Sequence, residues 1–236
     1  MQKNDNSLTI SVGDVQSFKT TYCDENPIIK QLLREQFLPY FDEPILDVGG
    51  GMGDILSGLI PEKKVVHLDV LEFSEPVPAA HSRVTGSFLD ERTVQELLPI
   101  QTLFMCHVQQ FIDGDLALLK TALARANAKR VVMVEDLNDD TLGEVMRFSL
   151  ENFPNANPEV KLEGFPYGYQ KIKSVPFKAT LRSDTFEELA TQCLYLMDVE
   201  VAKENIAHMS DFLKTRIATP EFTINQEIAV YEKSQA

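Results

Sequence analysis

Short apolar runs alternate with amphipathic stretches along most of the chain. The apolar runs lie at 44–48, 64–70, 83–88, 101–108 and 129–136. Stretches with the apolar spacing of a helix lie at about 53–60, 91–98, 113–126 and 140–153. Strands that alternate with helices in this way predict parallel βαβ units, with helices covering both faces of the sheet. We therefore predict an α/β fold with a mostly parallel, doubly wound sheet.

The two ends of the chain depart from this alternation. An amphipathic segment at 27–41 predicts a helix before the sheet. Proline, glycine and aromatic residues are frequent after residue 153, which predicts an insertion that acts as a lid at about 155–181. Asp184 and Glu187 form a capping-box pattern that predicts the start of a helix. The alternating segment 222–233 predicts a closing strand, antiparallel at or near an edge.

The length of 236 residues suits a single domain. We divide it into an N-terminal helical arm at 1–40 and a cofactor-binding core at 41–152. An insertion at 153–182 and a C-terminal part with helices and the closing strand at 183–236 complete the domain. The oligomeric state is left open, with a homodimer as one alternative.

Composition and charge narrow the class of partner. The chain is 44% hydrophobic and 25% charged, and its formal net charge is -14. This charge opposes binding to nucleic acid and favours a small cationic substrate. No apolar run has the length of a membrane span, and the first residues lack a signal-peptide pattern, so we expect no membrane contact and a cytoplasmic location. Three widely separated cysteines indicate neither a disulfide framework nor a metal site.

The most informative stretch is a strand that ends directly in a glycine-rich loop. The sequence Ile-Leu-Asp-Val at 45–48 is followed by Gly-Gly-Gly-Met-Gly at 49–53, and then by a predicted helix. Glycine accepts a positive φ and lets a ligand approach the backbone closely, so we predict a cofactor site here. A nicotinamide-type G-x-G-x-x-G that begins at Gly49 would need glycine at position 54, where the chain has Asp54. A second strand ends in Asp69, about 20 residues after the first glycine, where a carboxylate can accept ribose hydroxyls.

The pattern Asp47-x-Gly49-x-Gly51-x-Gly53 resembles motif I of the class I S-adenosylmethionine-dependent methyltransferases. Gly-Ser-Phe at 86–88 is similar to the turn after the third strand of that family. The fourth strand, at 104–111, is similar to the family's fourth-strand motif. The resemblance covers about residues 40–136 and implies a Rossmann-like, seven-stranded sheet and S-adenosyl-L-methionine as cofactor. A fainter similarity, carried by residues 22–27 and the histidine of the fourth strand, is to small-molecule N-methyltransferases of the histamine type.

The resemblance also implies roles for individual residues. Asp47 and the three glycines would hold the methionine part of the cofactor, and Asp69 would hold the ribose. Ser87 stands where many members of the family have aspartate, which weakens the expected adenine contact there. The full set of expected cofactor contacts is Asp47, Gly49, Gly51, Gly53, Asp69, Val70, Leu71, Ser87, Phe88, Cys106 and His107.

Methyl transfer needs alignment of the acceptor and exclusion of water, and a base only if the acceptor must lose a proton. His107 and Glu135 are the candidate catalytic residues because both follow strands at the carboxyl edge of the sheet. His107 serves either as a base or as a wall of the cofactor site. Glu135 and Asp136 either bind a cationic amine or cap the helix that begins near Asp139. Aromatic side chains in the flanking segments are expected to line the acceptor pocket or pack on the sheet edge: Phe18, Tyr22, Phe165, Tyr167 and Tyr169.

The sequence thus predicts an enzyme that transfers a methyl group to nitrogen or oxygen of a small molecule. One alternative is a protein that binds the cofactor without methylating, as a regulatory subunit or as a cyclase or isomerase on the same scaffold. A nicotinamide oxidoreductase is disfavoured by the spacing of the glycines.

Overall fold

The computed structural model describes residues 23–108, 116–156, 168–197 and 199–234. The chain enters the sheet through helix α1 (Glu25–Leu32), which continues as one π-helical turn at Leu33–Phe37 and a 3-10 turn at Leu38–Tyr40. This confirms the helix predicted before the sheet. The five predicted strands are also present, as β1 (Ile45–Val48), β2 (Val65–Asp69), β3 (His81–Thr85), β4 (Thr102–Cys106) and β5 (Arg130–Asp136).

The described strands form one seven-stranded sheet in the order β3-β2-β1-β4-β5-β7-β6. Strands β1 to β5 are parallel, whereas β7 (Glu221–Lys233) runs antiparallel to both β5 and β6 (Tyr169–Arg182). The predicted doubly wound, mostly parallel sheet is confirmed. The chain winds in opposite directions from β1 and β4, so a crevice opens between the carboxyl ends of these two strands.

Strand β6 corrects the prediction of a lid at 155–181. Residues 169–182 pair with β7 along its whole length, as the outermost strand of the sheet. From Tyr169 to Phe177, the side chains of β6 that face the protein are only half-buried. The alternation of apolar and polar residues that marks a strand is therefore weak in this part of the sequence. Pro176 is tolerated because an edge strand does not need every backbone N–H for the ladder. The part of the predicted lid at 157–167 lies outside the described residues.

Helices cover both faces of the sheet. They are α2 (Asp54–Leu59), α3 (Glu91–Glu96), α4 (Leu116–Ala126), α5 (Thr141–Asn152), α6 (Phe186–Leu196) and α7 (Lys203–Lys214). The capping box of α6 is formed by Thr185 and Glu188, one residue later than predicted. Threonine takes this place because its hydroxyl accepts from the N–H of Glu188, whose carboxylate in turn accepts from the N–H of Thr185.

Three apolar clusters hold these layers together. Helices α3 and α4 pack on one face of the parallel strands, and α1 and α2 pack on the other. A third cluster joins α5, α6 and α7 to the outer parts of β6 and β7. Within the described ranges, no helix is both long and apolar enough to cross a membrane.

Candidate functional site

The glycine loop, residues 49–53, closes the carboxyl end of β1. Gly49, Gly51 and Gly53 have φ angles of 66°, 51° and 73°, which L-residues rarely adopt. A Cβ at Gly49 would lie 2.2 Å from Cγ1 of Val108, and one at Gly53 would lie 3.0 Å from the ring of His67. A Cβ at Gly51 would meet no atom closer than 3.9 Å. The loop is therefore packed tightly against Val108 and His67 at its two ends and less tightly at Gly51.

Asp69, the last residue of β2, fixes the middle of this loop. Its Oδ2 accepts a hydrogen bond of 2.9 Å from the N–H of Gly51, and its Oδ1 accepts one of 2.9 Å from the N–H of Leu71. Val70 and Leu71 follow directly and expose 66% and 36% of their surface. An acidic group and two uncovered apolar side chains thus border the loop, which suits a ligand with a polar sugar and a flat apolar ring.

Arg83 of β3 ties the glycine loop to the segment after β2. Its guanidinium donates to the carbonyl oxygens of Gly51 at 2.5 Å and of Met52 at 2.6 Å, and to that of Glu75 at 3.2 Å. It also lies 6.0 Å from the centre of the Phe73 ring. The planar guanidinium of Arg83 therefore connects the glycine loop to the segment after β2.

A buried chain of hydrogen bonds supports the loop from below. Oδ2 of Asp47 lies 2.7 Å from Nδ1 of His67, whose Nε2 lies 3.0 Å from Nδ1 of His81. Nε2 of His81 lies 3.1 Å from the carbonyl oxygen of Ile60. A carbonyl only accepts, so a neutral His81 donates from Nε2 and accepts at Nδ1 from His67. One further proton lies between Asp47 and His67, and the buried pair is neutral as a whole.

The hydrogen bonds from Asp47 through His67 to His81 predict that the stability of the protein depends on pH. Burial lowers the pKa of His81 below its ordinary value of 6.5, and the neighbouring His67 lowers it further. The unfolded chain therefore takes up a proton below about pH 6.5 that the folded protein does not bind, so stability falls as the pH drops through this range. We expect the urea midpoint to fall more between about pH 7.5 and about pH 5.5 in the wild type than in His81→Gln.

His208→Gln, at an exposed position of α7, is the matched control. It should keep the pH dependence of the wild type, because this side chain takes no part in the buried chain of hydrogen bonds from Asp47 through His67 to His81. Equal slopes for the wild type and His81→Gln would contradict this role of His81.

A second polar cluster lies at the carboxyl ends of β4 and β5. Nε2 of His107 is 3.5 Å from Oε2 of Glu25, and Nδ1 of His107 is 3.8 Å from Oδ2 of Asp136. The amide nitrogen of Gln226, on β7 opposite Asp136, lies 3.1 Å from Glu25 and 2.8 Å from Asp136. The same nitrogen is 3.3 Å from Nε2 of His107. We call these four residues the Glu25–Gln226 cluster.

The structure places the predicted catalytic residues on opposite faces of the sheet. His107 lies in the Glu25–Gln226 cluster with a φ of 51°. Glu135 points to the other face, where it is buried and its Oε1 lies 3.4 Å from the hydroxyl of Tyr231. Burial, and then the charge of Glu135, raise the pKa of Tyr231 to about 12.

Capping of α5 is not performed by Glu135 or Asp136. Asp140 caps this helix, because it accepts hydrogen bonds from the N–H groups of Leu142 and Gly143. Both earlier carboxylates still belong to strand β5, whose extended backbone keeps them away from the first turn of the helix.

The remaining predicted residues are only partly brought together. Cys106 ends β4 next to His107, and Ser87 is half-buried and accepts from the N–H of Leu89. Phe88 lies in the core with α3 and α4. Tyr169 lies near the amino-terminal ends of the parallel strands, where its hydroxyl donates to the carbonyl oxygen of Ala128 at 2.6 Å. Phe18, Tyr22, Phe165 and Tyr167 lie outside the described residues.

Several residues of the site were not expected from the sequence. His67 had a signal, since it occupies a buried position of a strand two residues before Asp69. Arg83 had a weaker one, as a basic residue within a predicted strand. Glu25 and Gln226 had none, because they are 201 positions apart and meet only through the fold.

No family model matches the sequence, and no curated protein matches it either. Among solved structures, a candidate methyltransferase from Bacillus halodurans is similar, with a TM-score of 0.51 and 16% identity, over 81% of this chain and 92% of that chain. A SAM-dependent methyltransferase from Anabaena variabilis matches with a TM-score of 0.50 and 13% identity, over 89% and 84%. A functionally unknown protein from Deinococcus radiodurans matches with a TM-score of 0.51 and 10% identity, over 89% and 88%.

These similarities show the fold alone, a seven-stranded Rossmann-like sheet that this chain shares with solved structures described as methyltransferases. They give no support to the narrower resemblance to N-methyltransferases of the histamine type.

Proposed function

We propose that this protein transfers the methyl group of S-adenosylmethionine to a small-molecule acceptor. The observation that carries the proposal is the glycine loop, with three glycines at positive φ, at the carboxyl end of β1 and beside Asp69 of β2. A loop of this shape lies at the point where the winding of the sheet reverses, which is where open α/β sheets bind ligands.

The residues around the loop suit this cofactor. A Cβ at Gly51 would meet Phe73 at 3.9 Å and nothing closer, so an amino-acid moiety can approach the loop backbone there. Each oxygen of Asp69 accepts one backbone N–H and retains a lone pair for a ribose hydroxyl. The exposed side chains of Val70 and Leu71 offer an apolar surface for the adenine. Ser87 follows β3, the neighbour of β2, and would border that surface, whereas Phe88 is buried in the core cluster with α3 and α4.

Other groups position these contacts. Asp47 is only 4% exposed and engages His67, so we assign it support of the loop from below, with direct contact to the cofactor left to the backbone. Arg83 holds the carbonyl groups of Gly51 and Met52, which fixes the direction of the loop. A loop that is organised before binding loses less conformational entropy when the ligand binds.

The reaction requires little covalent participation by the protein. When bound, S-adenosylmethionine supplies an electrophilic methyl group on a sulfonium. The chain has to hold the acceptor in line with that group and keep water away. His107, next to the crevice, is the candidate to accept a proton from the acceptor, and Cys106 beside it forms part of the wall. Glu135, buried on the other face against Tyr231, has no part in this proposal.

A small acceptor is favoured over a nucleic acid by the charge of the chain. The formal net charge of -14 repels a phosphate backbone. A cytoplasmic location, with neither nucleic acid nor a membrane as partner and with a homodimer as one alternative, belongs to the same proposal. Cofactor binding without methylation remains the alternative function, and a screen of metabolite extracts by mass spectrometry for the gain of one methyl group distinguishes the two.

Asp69→Ala tests the cofactor site directly. We expect the dissociation constant of S-adenosylhomocysteine, measured by isothermal titration calorimetry, to rise by the equivalent of about 1–3 kcal/mol, because hydrogen bonds to a charged group are lost. Asp42→Ala is the matched control, since Asp42 precedes β1, at the end of that strand opposite the loop, and pairs with Lys129 and Arg130. An unchanged affinity in Asp69→Ala would reject the assignment, and absence of binding by the wild type would reject the proposed function.

A further inference from the structure

We infer that a single proton in the buried hydrogen-bond chain from Asp47 through His67 to His81 controls the affinity of the glycine loop for its cofactor. His81 is the positioning residue, because it takes up the proton that loosens the loop. This regulation rests on the proposed function, since it concerns the same loop and the same ligand. All three residues are buried, with exposed fractions of 4%, 2% and 7%.

Each link of the intact hydrogen-bond chain holds one hydrogen. The links join Asp47 to His67 at 2.7 Å, His67 to His81 at 3.0 Å, and His81 to the carbonyl oxygen of Ile60 at 3.1 Å. Two neutral imidazoles supply two of these hydrogens, and one further proton supplies the third. With an ionised carboxylate at one end, the intact chain of hydrogen bonds has no net charge, and every ring nitrogen has a partner.

An additional proton opens this chain of hydrogen bonds. His81 already donates from Nε2 to Ile60, so the new hydrogen goes on Nδ1, where it faces the hydrogen on Nε2 of His67. Two N–H groups that face each other across 3.0 Å repel, so the link between the two histidines opens. Protonation of Asp47 instead would leave a buried imidazolium without its counter-charge, which is costly.

The surroundings of His81 resist the additional proton while the link is closed. Among the described residues, the titratable groups that face His81 are His67 of β2, Asp47 of β1 and Glu62 in the turn after α2. Burial lowers the pKa of His81 below its ordinary value of 6.5, and His67 lowers it further, against opposing contributions from the carbonyl group that it bonds and from the two carboxylates. Arg83, which pairs in register with His67, adds a permanent positive charge on β3. The proton is therefore taken up below about pH 6.5, together with the opening of the link.

The glycine loop lies directly on the part of this chain that opens. A Cβ at Gly53 would be 3.0 Å from Nε2 of His67, which is the atom that bonds His81, and a Cβ at Gly50 would be 3.0 Å from Cβ of His67. Asp69, two residues along β2 from His67, is bonded to the loop backbone as well. Because protein interiors are close-packed, the His67 ring cannot shift without disturbing the loop above it. The cofactor binds best to the ordered loop, so proton uptake and cofactor binding oppose each other.

His81→Gln tests the regulation, because glutamine keeps the hydrogen bonds but takes up no proton. Its amide has a donor for the carbonyl oxygen of Ile60 and an acceptor for Nε2 of His67. We expect calorimetry to show that the dissociation constant of S-adenosylhomocysteine rises at least about threefold between about pH 7.5 and about pH 5 in the wild type, and less than about twofold in His81→Gln. Circular dichroism at both pH values verifies that the proteins compared are folded.

His208→Gln is the matched control, since it removes a histidine on α7 that takes no part in this chain of hydrogen bonds. It should show the pH dependence of the wild type. His107 and the titratable groups of the ligand are the same in all three proteins, so their contributions cancel in the comparison.

A second measurement follows the loop without ligand. In ¹⁵N-labelled protein, the amide signals of Gly50 and Gly53 should shift with pH in parallel with the ring nitrogens of His81. The shift should be lost in His81→Gln and kept in His208→Gln. Amide signals that still shift in His81→Gln as they do in the wild type would overturn the inference.

The two measurements separate this regulation from the proposed function. Binding of S-adenosylhomocysteine with the same pH dependence in the wild type and in His81→Gln rejects the regulation alone. Absence of binding by the wild type at the higher pH rejects the proposed function, and the amide signals then decide whether His81 controls the loop.

Discussion

Replacing Gly51 with valine should abolish the binding of S-adenosylhomocysteine and leave the protein folded. A Cβ at this position would meet no protein atom closer than 3.9 Å, so we expect the cost to folding to come from the positive φ and not from a clash of the Cβ. The valine side chain would fill the space beside the middle of the glycine loop, where we place the methionine moiety. We expect calorimetry to show at least about a hundredfold loss of affinity, the equivalent of about 3 kcal/mol. Circular dichroism should show the spectrum of the wild type.

Gly168→Val separates this effect from backbone strain. Gly168 also has a positive φ, of 83°, and no atom within 4 Å of the place of a Cβ, but it lies at the start of β6 and far from the loop. Both variants carry the cost of a β-branched residue at positive φ, of order 1–3 kcal/mol. Only Gly51→Val should lose the ligand. If it binds S-adenosylhomocysteine as the wild type does, the loop is a turn and not a binding site.

Replacing Asp47 with alanine should lower the free energy of unfolding by about 3 kcal/mol, because it removes the buried carboxylate and leaves Nδ1 of His67 without this hydrogen-bond partner. The carboxylate is 4% exposed and lies 2.7 Å from His67. It also touches the loop from below, since a Cβ at Gly50 would be 3.0 Å from its Oδ2. The variant should therefore weaken cofactor binding as well, through a less ordered loop.

Asp42→Ala is the matched control for the loss of an aspartate ion pair. Asp42 pairs with Lys129 and Arg130, but 43% of its side chain is exposed. Its removal should cost less than about 1 kcal/mol in urea unfolding, because water screens and replaces a surface pair. Similar losses in the two variants would show that the buried chain below the loop contributes no more than a surface contact.

The sequence alone predicted the features that depend on local order along the chain. The five parallel strands could be predicted because buried strands are short apolar runs, and their alternation with helices sets the winding of the sheet. The glycine loop and Asp69 could be predicted because positive φ and an acidic strand end are properties of single residues at fixed spacing. His107 could be placed at the sheet edge for the same reason, since it directly follows β4.

Tertiary structure decided everything that depends on which distant segments meet. Residues 169–182 resembled an insertion because an edge strand is only partly buried and keeps many polar side chains, and only pairing with β7 reveals it. Tyr169 was expected either to line the acceptor pocket or to pack on the sheet edge. The direction of β6 carries it to the amino-terminal ends of the parallel strands, away from the glycine loop, where its hydroxyl donates to Ala128.

The Glu25–Gln226 cluster was decided in the same way. Glu25 and Gln226 stand 201 positions apart, and no window of sequence contains both. Arg83 likewise holds carbonyl groups 31 and 32 positions earlier in the chain. Local sequence determines strands, turns and caps because their energies arise between neighbours in the chain. The charge and hydrogen-bond balance of a buried site arises between neighbours in space, which only the packed structure defines.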